Sequence, residues 1–255
     1  MSQALASAAV LLLAACVPPR PGAGPGLGPQ HAPTPPVPAE PPAPRGPCPP
    51  GVALIGRLVV ERDIVSVNGH QAHTGQTICE GDDVETSSTG TGDVIVSGDN
   101  DSDSIHLAEG TDPRMRWTRS RCISIDGFTR GTINLTTRNH CMLLRTRDVL
   151  IYHPPASLAQ YVVNPSNATQ VKPYRGQVPV ALQSINENEL HNLPVTQLLE
   201  RRAPPALQPH EGSLNVYRGN ALAQPPRKLT PEELRLMEMT TMHAPKIEQP
   251  IKSPP

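Results

Sequence analysis

The uneven spread of 32 prolines and 19 glycines over 255 residues limits what this chain can fold into. From Val17 to Gly51, Pro, Gly and Ala dominate and leave almost no large apolar side chains to bury. Such a stretch is read as a linker of extended polyproline character, reaching on the order of 100 Å at about 3.1 Å per residue. Its alternative role is as a ligand for a proline-recognising partner module. Between Val52 and Leu182 the pattern changes to short β-rich runs separated by turn residues, and the expected domain occupies that span. One Trp, four Tyr and one Phe are too few for an aromatic core, so Ile, Val and Leu must build it, which favours thin β layers.

The runs recur at intervals of about ten residues. They are Val52 to Val60, Asp63 to Val67, Asp93 to Ser97, Ser104 to Leu107, Met115 to Thr118, Cys122 to Ile125, Thr132 to Thr136 and Met142 to Tyr152. Asn68-Gly69 supplies the pair that tolerates positive φ at both centres of a tight hairpin. Ile123 and Ile125 alternate with Ser124 and Asp126, and Ile133 and Leu135 with Asn134 and Thr136, giving one wet and one dry face per strand. The expected fold is all-β: a short-strand sandwich, barrel or solenoid. Beyond residue 183 a low-order tail is expected, with a short helix near Leu198 to Arg202 ended by Pro204-Pro205. A better helix covers 231–242, where Thr230, Pro231 and Glu233 form an N-cap, a first-turn proline and a capping box, and Leu234 and Met237 share one face. A lone amphipathic helix must dock on its own domain or on a partner.

The N-terminal run ending Leu13-Ala14-Ala15-Cys16 resembles a bacterial lipoprotein signal peptide with its lipobox. Ala4 to Ala15 is too short to span a hydrocarbon core of about 30 Å, and no later run is long and apolar enough to cross one. The resemblance implies cleavage after residue 15, lipidation at Cys16 and a membrane anchor. Val17 after that cysteine implies an outer-membrane lipoprotein facing the periplasm. Four cysteines then remain, Cys48, Cys79, Cys122 and Cys141, an even number that suggests two disulfides with three possible connectivities. The favoured pairs are Cys122 with Cys141, which brackets a candidate hairpin, and Cys48 with Cys79, which pins the linker's end to the domain.

Little in the sequence points to catalysis or to a cofactor. The histidines are scattered, and neither a GxSxG elbow, an HExxH pair nor a phosphate-cradling loop occurs. A net charge of −1, without a basic cluster, argues against nucleic acid as a partner. Asp99, Asp101 and Asp103 alternate on a turn and offer oxygen ligands of the kind calcium takes. A solvated hairpin turn between Val96 and Ile105 is the plainer reading, because Ser104 and Gly110 stand where a calcium loop needs glycine and glutamate. Arg114, Arg116, Arg119 and Arg121 form a second candidate surface. On extended backbone the first two share a face, as do the last two, so an anion or glycan could be gripped there.

The order of features from Val52 to about Val180 resembles the FecR-like periplasmic domain, named for the iron-dicitrate signalling regulator. The residues carrying it are Gly75, Glu80-Gly81-Asp82-Asp83-Val84-Glu85-Thr86, Ile105-His106-Leu107, Glu109-Gly110-Thr111, Gly131-Thr132-Ile133, Tyr161-Val162-Val163, Thr169-Gln170-Val171 and Gly176-Gln177-Val178. The resemblance implies a non-enzymatic domain that binds a protein or envelope ligand in sensing or signalling. A structural or accessory subunit of an envelope or secretion assembly is the alternative, and an envelope hydrolase with a site assembled only in the fold is a second.

Overall fold

The computed structural model describes residues 47–97, 103–147, 149–164, 166, 168–181, 187–200, 209–219 and 221–242. The signal-like run, Cys16, most of the linker, Asp99 and Asp101 lie outside the described residues.

The described chain is mostly β. It runs through β1 (Leu54–Arg62), β2 (Val65–Val67), β3 (His70–Gln71), β4 (Thr77–Cys79), β5 (Val84–Thr86), β6 (Thr91–Val96), β7 (Ser104–Leu107) and β8 (Arg114–Trp117). There follow β9 (Ile123–Asp126), β10 (Gly131–Thr136), β11 (Met142–Arg145), β12 (Leu150–His153), β13 (Leu158–Val163), β14 (Thr169–Arg175) and β15 (Val180–Ala181). Two short helices, α1 (Glu187–Asn192) and α2 (Val195–Glu200), precede β16 (Ser213–Tyr217), β17 (Leu222–Lys228) and α3 (Pro231–Met242). A nine-stranded sheet has the order β17-β16-β14-β13-β10-β7-β6-β1-β4, a five-stranded sheet the order β15-β12-β11-β9-β8, and a small sheet the order β3-β2-β5.

Period-two patterning supplies the core. Val94, Val96, Ile105, Leu107, Ile133, Leu135, Tyr161 and Val171 come from one face of the nine-stranded sheet. They share a single buried cluster with Met115, Ile123, Ile125, Met142, Leu144 and Ile151 of the five-stranded sheet. Each such aliphatic side chain contributes about 1.5–3 kcal/mol on burial, and the sandwich follows from two sheets whose apolar faces meet. The outer face of the five-stranded sheet carries Cys122, Leu143, Leu150 and Ala181, covered by Leu198 of α2 and Leu193. At the other end of the chain, Ala168, Leu214, Val216 and Leu229 form a third cluster with Tyr174.

Local chemistry sets the turns. Asn68 and Gly69 join β2 to β3 with φ of 52° and 76°, as expected of a two-residue hairpin. The Asp82 carboxylate accepts from the Cys79 amide at 2.8 Å and from Asn68 Nδ2 at 2.6 Å, so the Glu80-Gly81-Asp82-Asp83 motif is a turn lock. Gly131 opens β10 at φ 95°, where a Cβ would lie 2.5 Å from Thr111 Cγ2. A side chain there meets both backbone strain and a clash.

Both expected disulfides are present, Cys48–Cys79 and Cys122–Cys141. The hairpin invoked for the second pair is not. β9 and β10 belong to different sheets, β9 lies parallel to β11, and the bond ties the entries of those two parallel strands. The run from Met142 to Tyr152 is also two strands, folded back on each other and closed by the Val149 amide and carbonyl on Thr146. The domain does not stop at Leu182, because β16 and β17 extend the large sheet. Pro225-Pro226 is accommodated in β17 because β17 is the edge strand and its register shifts there.

The helix over 231–242 forms as its capping signals require: the Thr230 amide donates to Glu233 Oε2 at 2.8 Å and the Glu233 amide to Thr230 Oγ1 at 3.2 Å. Arg227 grips the same carboxylate through both terminal nitrogens, and the Tyr174 hydroxyl donates to the Glu233 carbonyl. Met237 is buried, whereas Leu234 is exposed. The helix therefore docks on its own domain, and only one of the two expected apolar contacts is made. No helix among the described residues is long and apolar enough to cross a membrane.

Candidate functional site

The outward face of the nine-stranded sheet carries a polar row that runs across strands rather than along one. Asp93 pairs in register with His106, His106 with Asn134, Asn134 with Gln160, and Gln160 with Lys172, so β6, β7, β10, β13 and β14 each contribute one polar residue. Their chain neighbours point into the core. The row is bonded sideways: Lys172 Nζ donates to Gln160 Oε1 and Gln160 Nε2 donates to Asn134 Oδ1, each at 3.0 Å. His106 Nδ1 lies 3.1 Å from Asp93 Oδ1. Cross-strand neighbours on one face are close enough for these contacts, so the ladder register alone builds the strip.

Each end of the row is electrostatically loaded. Burial lowers the Lys172 pKa, Glu233 on α3 opposes that shift, and Arg227 adds to it. At the other end Glu61 joins through an irregularity in β1, where the pairing with β6 skips between Val60 and Arg62. A bulge of this kind redirects a side chain, and Glu61 Oε2 lies 3.6 Å from His106 Nδ1. Burial raises the Glu61 pKa, the apposed Asp93 raises it further, and His106 opposes both. Burial alone would lower the His106 pKa, but the hydrogen bond and charge of Asp93, with Glu61 and Glu109, hold it above the ordinary histidine value.

A cleft of about 500 Å³ lies between the 85–88 segment, the 109–110 turn, and the ends of β10 and β13. Its polar lining includes Glu85, Ser88, Glu109, Arg130 and Asn164, and the Arg130 guanidinium sits 3.8 Å from Glu85.

The fold brings one serine and one histidine together, and it seals them. His153 Nε2 is 3.0 Å from Ser157 Oγ, and His153 Nδ1 is 2.7 Å from the Tyr161 hydroxyl. Ser157 gives its own proton to the Pro154 carbonyl. The assignment is then complete for a neutral ring: Nε2–H donates to Ser157, and Nδ1 accepts from Tyr161. All three residues are buried, and burial pushes the His153 pKa down to about 3. The group is a satisfied core histidine.

Asp103 is a loop anchor. Its carboxylate accepts from the backbone amides of Arg138, Asn139 and His140 and lies 2.6 Å from His140 Nδ1. Those donors engage both oxygens that the calcium reading required of it. The His140 ring in turn stands edge-on to Trp117, with centroids 5.4 Å apart. The four arginines are not one extended strip. Arg114 and Arg116 lie on β8, with Arg114 3.3 Å from Asp83, while exposed Arg119 and Arg121 sit in the tight turn before β9. Arg121 adopts φ 59°, so the shared strand face expected for Arg119 and Arg121 does not form.

The sequence did not single out Asp93, Glu61 or Asn134 for a site. The available signal was a charged or amide residue at an outward position of a β-rich run, but only the register shows that these positions align.

No protein-family profile matches the chain. No curated protein matches it either. Two crystal structures of a proposed anti-sigma factor from Parabacteroides distasonis are similar in part, with 11% identity and TM-scores of 0.40 and 0.42. The matched region covers 60% of this chain and 62% of each of those chains.

Proposed function

We propose that this protein is a non-enzymatic, lipid-anchored recognition module of the cell envelope. Its β domain binds a protein or envelope polymer through the outward face of the nine-stranded sheet, in sensing or signalling. The observation that carries this reading is the in-register row from Asp93 to Lys172, in which half-buried His106, Gln160 and Lys172 are held in place over buried Asp93 and Asn134 and present preordered polar groups outward. Hydrogen-bonded side chains held by a sheet lose little entropy when a partner docks. Two disulfides fit an oxidising compartment. The Leu13 to Cys16 tetrad supports the anchor, and the FecR-like order of motifs supports sensing over a purely structural role.

Fractionation combined with chemical crosslinking in cells tests the reading. The wild-type chain is expected to pellet with membranes and give one discrete crosslinked species, while Cys16→Ala moves to the soluble fraction and loses it. A Cys16→Ala protein that still pellets contradicts the anchor. A wild-type chain that forms no specific adduct with protein or glycan contradicts recognition.

A further inference from the structure

Glu61, Asp93 and His106 come from three adjacent strands, β1, β6 and β7, and each offers one ligand atom within 4.8 Å of the others. The separations of His106 Nδ1 from Asp93 Oδ1, 3.1 Å, and from Glu61 Oε2, 3.6 Å, bracket a tetrahedral edge. That edge is about 3.4 Å for metal–ligand bonds near 2.1 Å. Asp93 is almost wholly buried, and its second oxygen, Oδ2, has no hydrogen-bond donor. A buried carboxylate oxygen in that state is costly unless a cation or proton meets it. The imidazole cannot serve both acids, because Nδ1 carries at most one hydrogen and its nearer acceptor is Asp93 Oδ1. Glu109 adds a further negative charge nearby, offset in part by Arg62 at 3.6 Å from it.

We propose that Glu61, Asp93 and His106 bind one divalent first-row transition cation, with zinc the ion that this donor set fits. One imidazole with two carboxylates is a nitrogen–oxygen set suited to zinc, whereas calcium takes six to eight oxygens. The ion neutralises the apposed carboxylates, and bidentate ligation by Asp93, through Oδ1 and Oδ2, gives Oδ2 its missing partner. Glu61 and His106 both keep part of their side chains exposed, so the remaining coordination position opens outward, where water or an anionic group of a bound partner completes the shell. The bulge at Glu61 has a specific consequence here: it turns the third ligand onto a face already holding the other two.

The test is calorimetric titration of the full chain, with both disulfides formed and trace metal removed by chelation, using zinc chloride and, in parallel, calcium chloride. One zinc ion per chain is expected to bind at micromolar affinity or tighter and to raise the melting temperature by several degrees. His106→Gln and Glu61→Gln are each expected to weaken zinc by roughly tenfold or more. Cobalt should give visible d–d absorption in the wild type that is lost in both variants. If His106→Gln fails to fold, Glu61→Gln, a change at the exposed rim, carries the comparison. Absence of zinc uptake, uptake undiminished by either folded variant, or calcium binding as tightly as zinc would overturn the proposal.

Discussion

Acidification probes the sealed histidine. In the folded chain His153 takes a proton only near a pKa of about 3, against about 6.5 when unfolded. Between those values the unfolded chain holds the extra proton. Stability from this residue is therefore fully present above about pH 6.5 and falls as the pH drops toward about 3. Each factor of ten in proton affinity is worth about 1.4 kcal/mol, so the full loss is about 5 kcal/mol, of which about 3 kcal/mol is gone by about pH 4. The cause is burial: removing a charged imidazolium from water outweighs the opposing contributions of Ser157 and of the Asp103 charge. Other groups act in the opposite direction. His106, held above the ordinary value, contributes stability at low pH that is lost as pH rises through its folded pKa, and Glu61, raised by burial, also relaxes in acid. The comparison is therefore between the wild type and His153→Gln, which keeps an amide donor and acceptor without the titration. Urea unfolding at a series of pH values, followed by the fluorescence of Trp117 under non-reducing conditions, reads both. The wild type should lose about 3 kcal/mol more than the variant between about pH 7 and about pH 4. Parallel stability curves would refute the reasoning.

Three further perturbations test the architecture. Asp103→Ala removes the acceptor for three loop amides and the His140 ring. It should cost about 3 kcal/mol by urea unfolding and change the near-ultraviolet signal of Trp117, and added calcium should not restore either. Replacing Cys122 and Cys141 together by Ala opens a loop of sequence separation 19, with an expected loss of about 3 kcal/mol, whereas wild type treated with a reductant, which opens Cys48–Cys79 too, should lose more. Thr230→Ala removes one half of the capping box and should cost about 1 kcal/mol, seen as faster amide exchange over α3. In the same helix the Arg227 hydrogen bond holds the Glu233 carboxyl down, to about 2. This contribution is present above about pH 4.5 and fades as pH falls toward about 2, so α3 protection should decline in strong acid.

Much of the layer structure was legible because it is local. Alternation in Ile133-Asn134-Leu135 and in Ile123-Ser124-Ile125 marks the aliphatic side chains that enter the core, and Asn68-Gly69 fixes a turn, without knowledge of any partner strand; the wet faces expected at Ser124, Asp126 and Asn134 did not follow, because neighbouring side chains bury all three. The disulfide pairs were legible from spacing, but the reason given for one was wrong: nothing in the run from Cys122 to Cys141 indicates that β9 and β10 enter different sheets. β16 and β17 were missed inside the stretch expected to be a low-order tail, and the two prolines of β17 are tolerated only because that strand lies at an edge with a shifted register. The polar row was not legible for a related reason. Asp93, His106, Asn134, Gln160 and Lys172 are each single polar residues in β-rich runs, and their alignment is a property of five strands in register. Glu61 required still more, since a bulge sets its direction and local sequence gave no sign of it.

Site-resolved photocrosslinking in cells tests the central claim most directly. A photoreactive amino acid is placed at Thr132 or Gln170, half-buried positions beside the row on the nine-stranded sheet, and separately at exposed Gln197 on α2, over the other sheet. A discrete adduct from Thr132 and Gln170, absent from Gln197 and abolished by Cys16→Ala, is the predicted result. Adducts from Gln197 alone, or equal labelling from all three positions, would contradict recognition through the polar face.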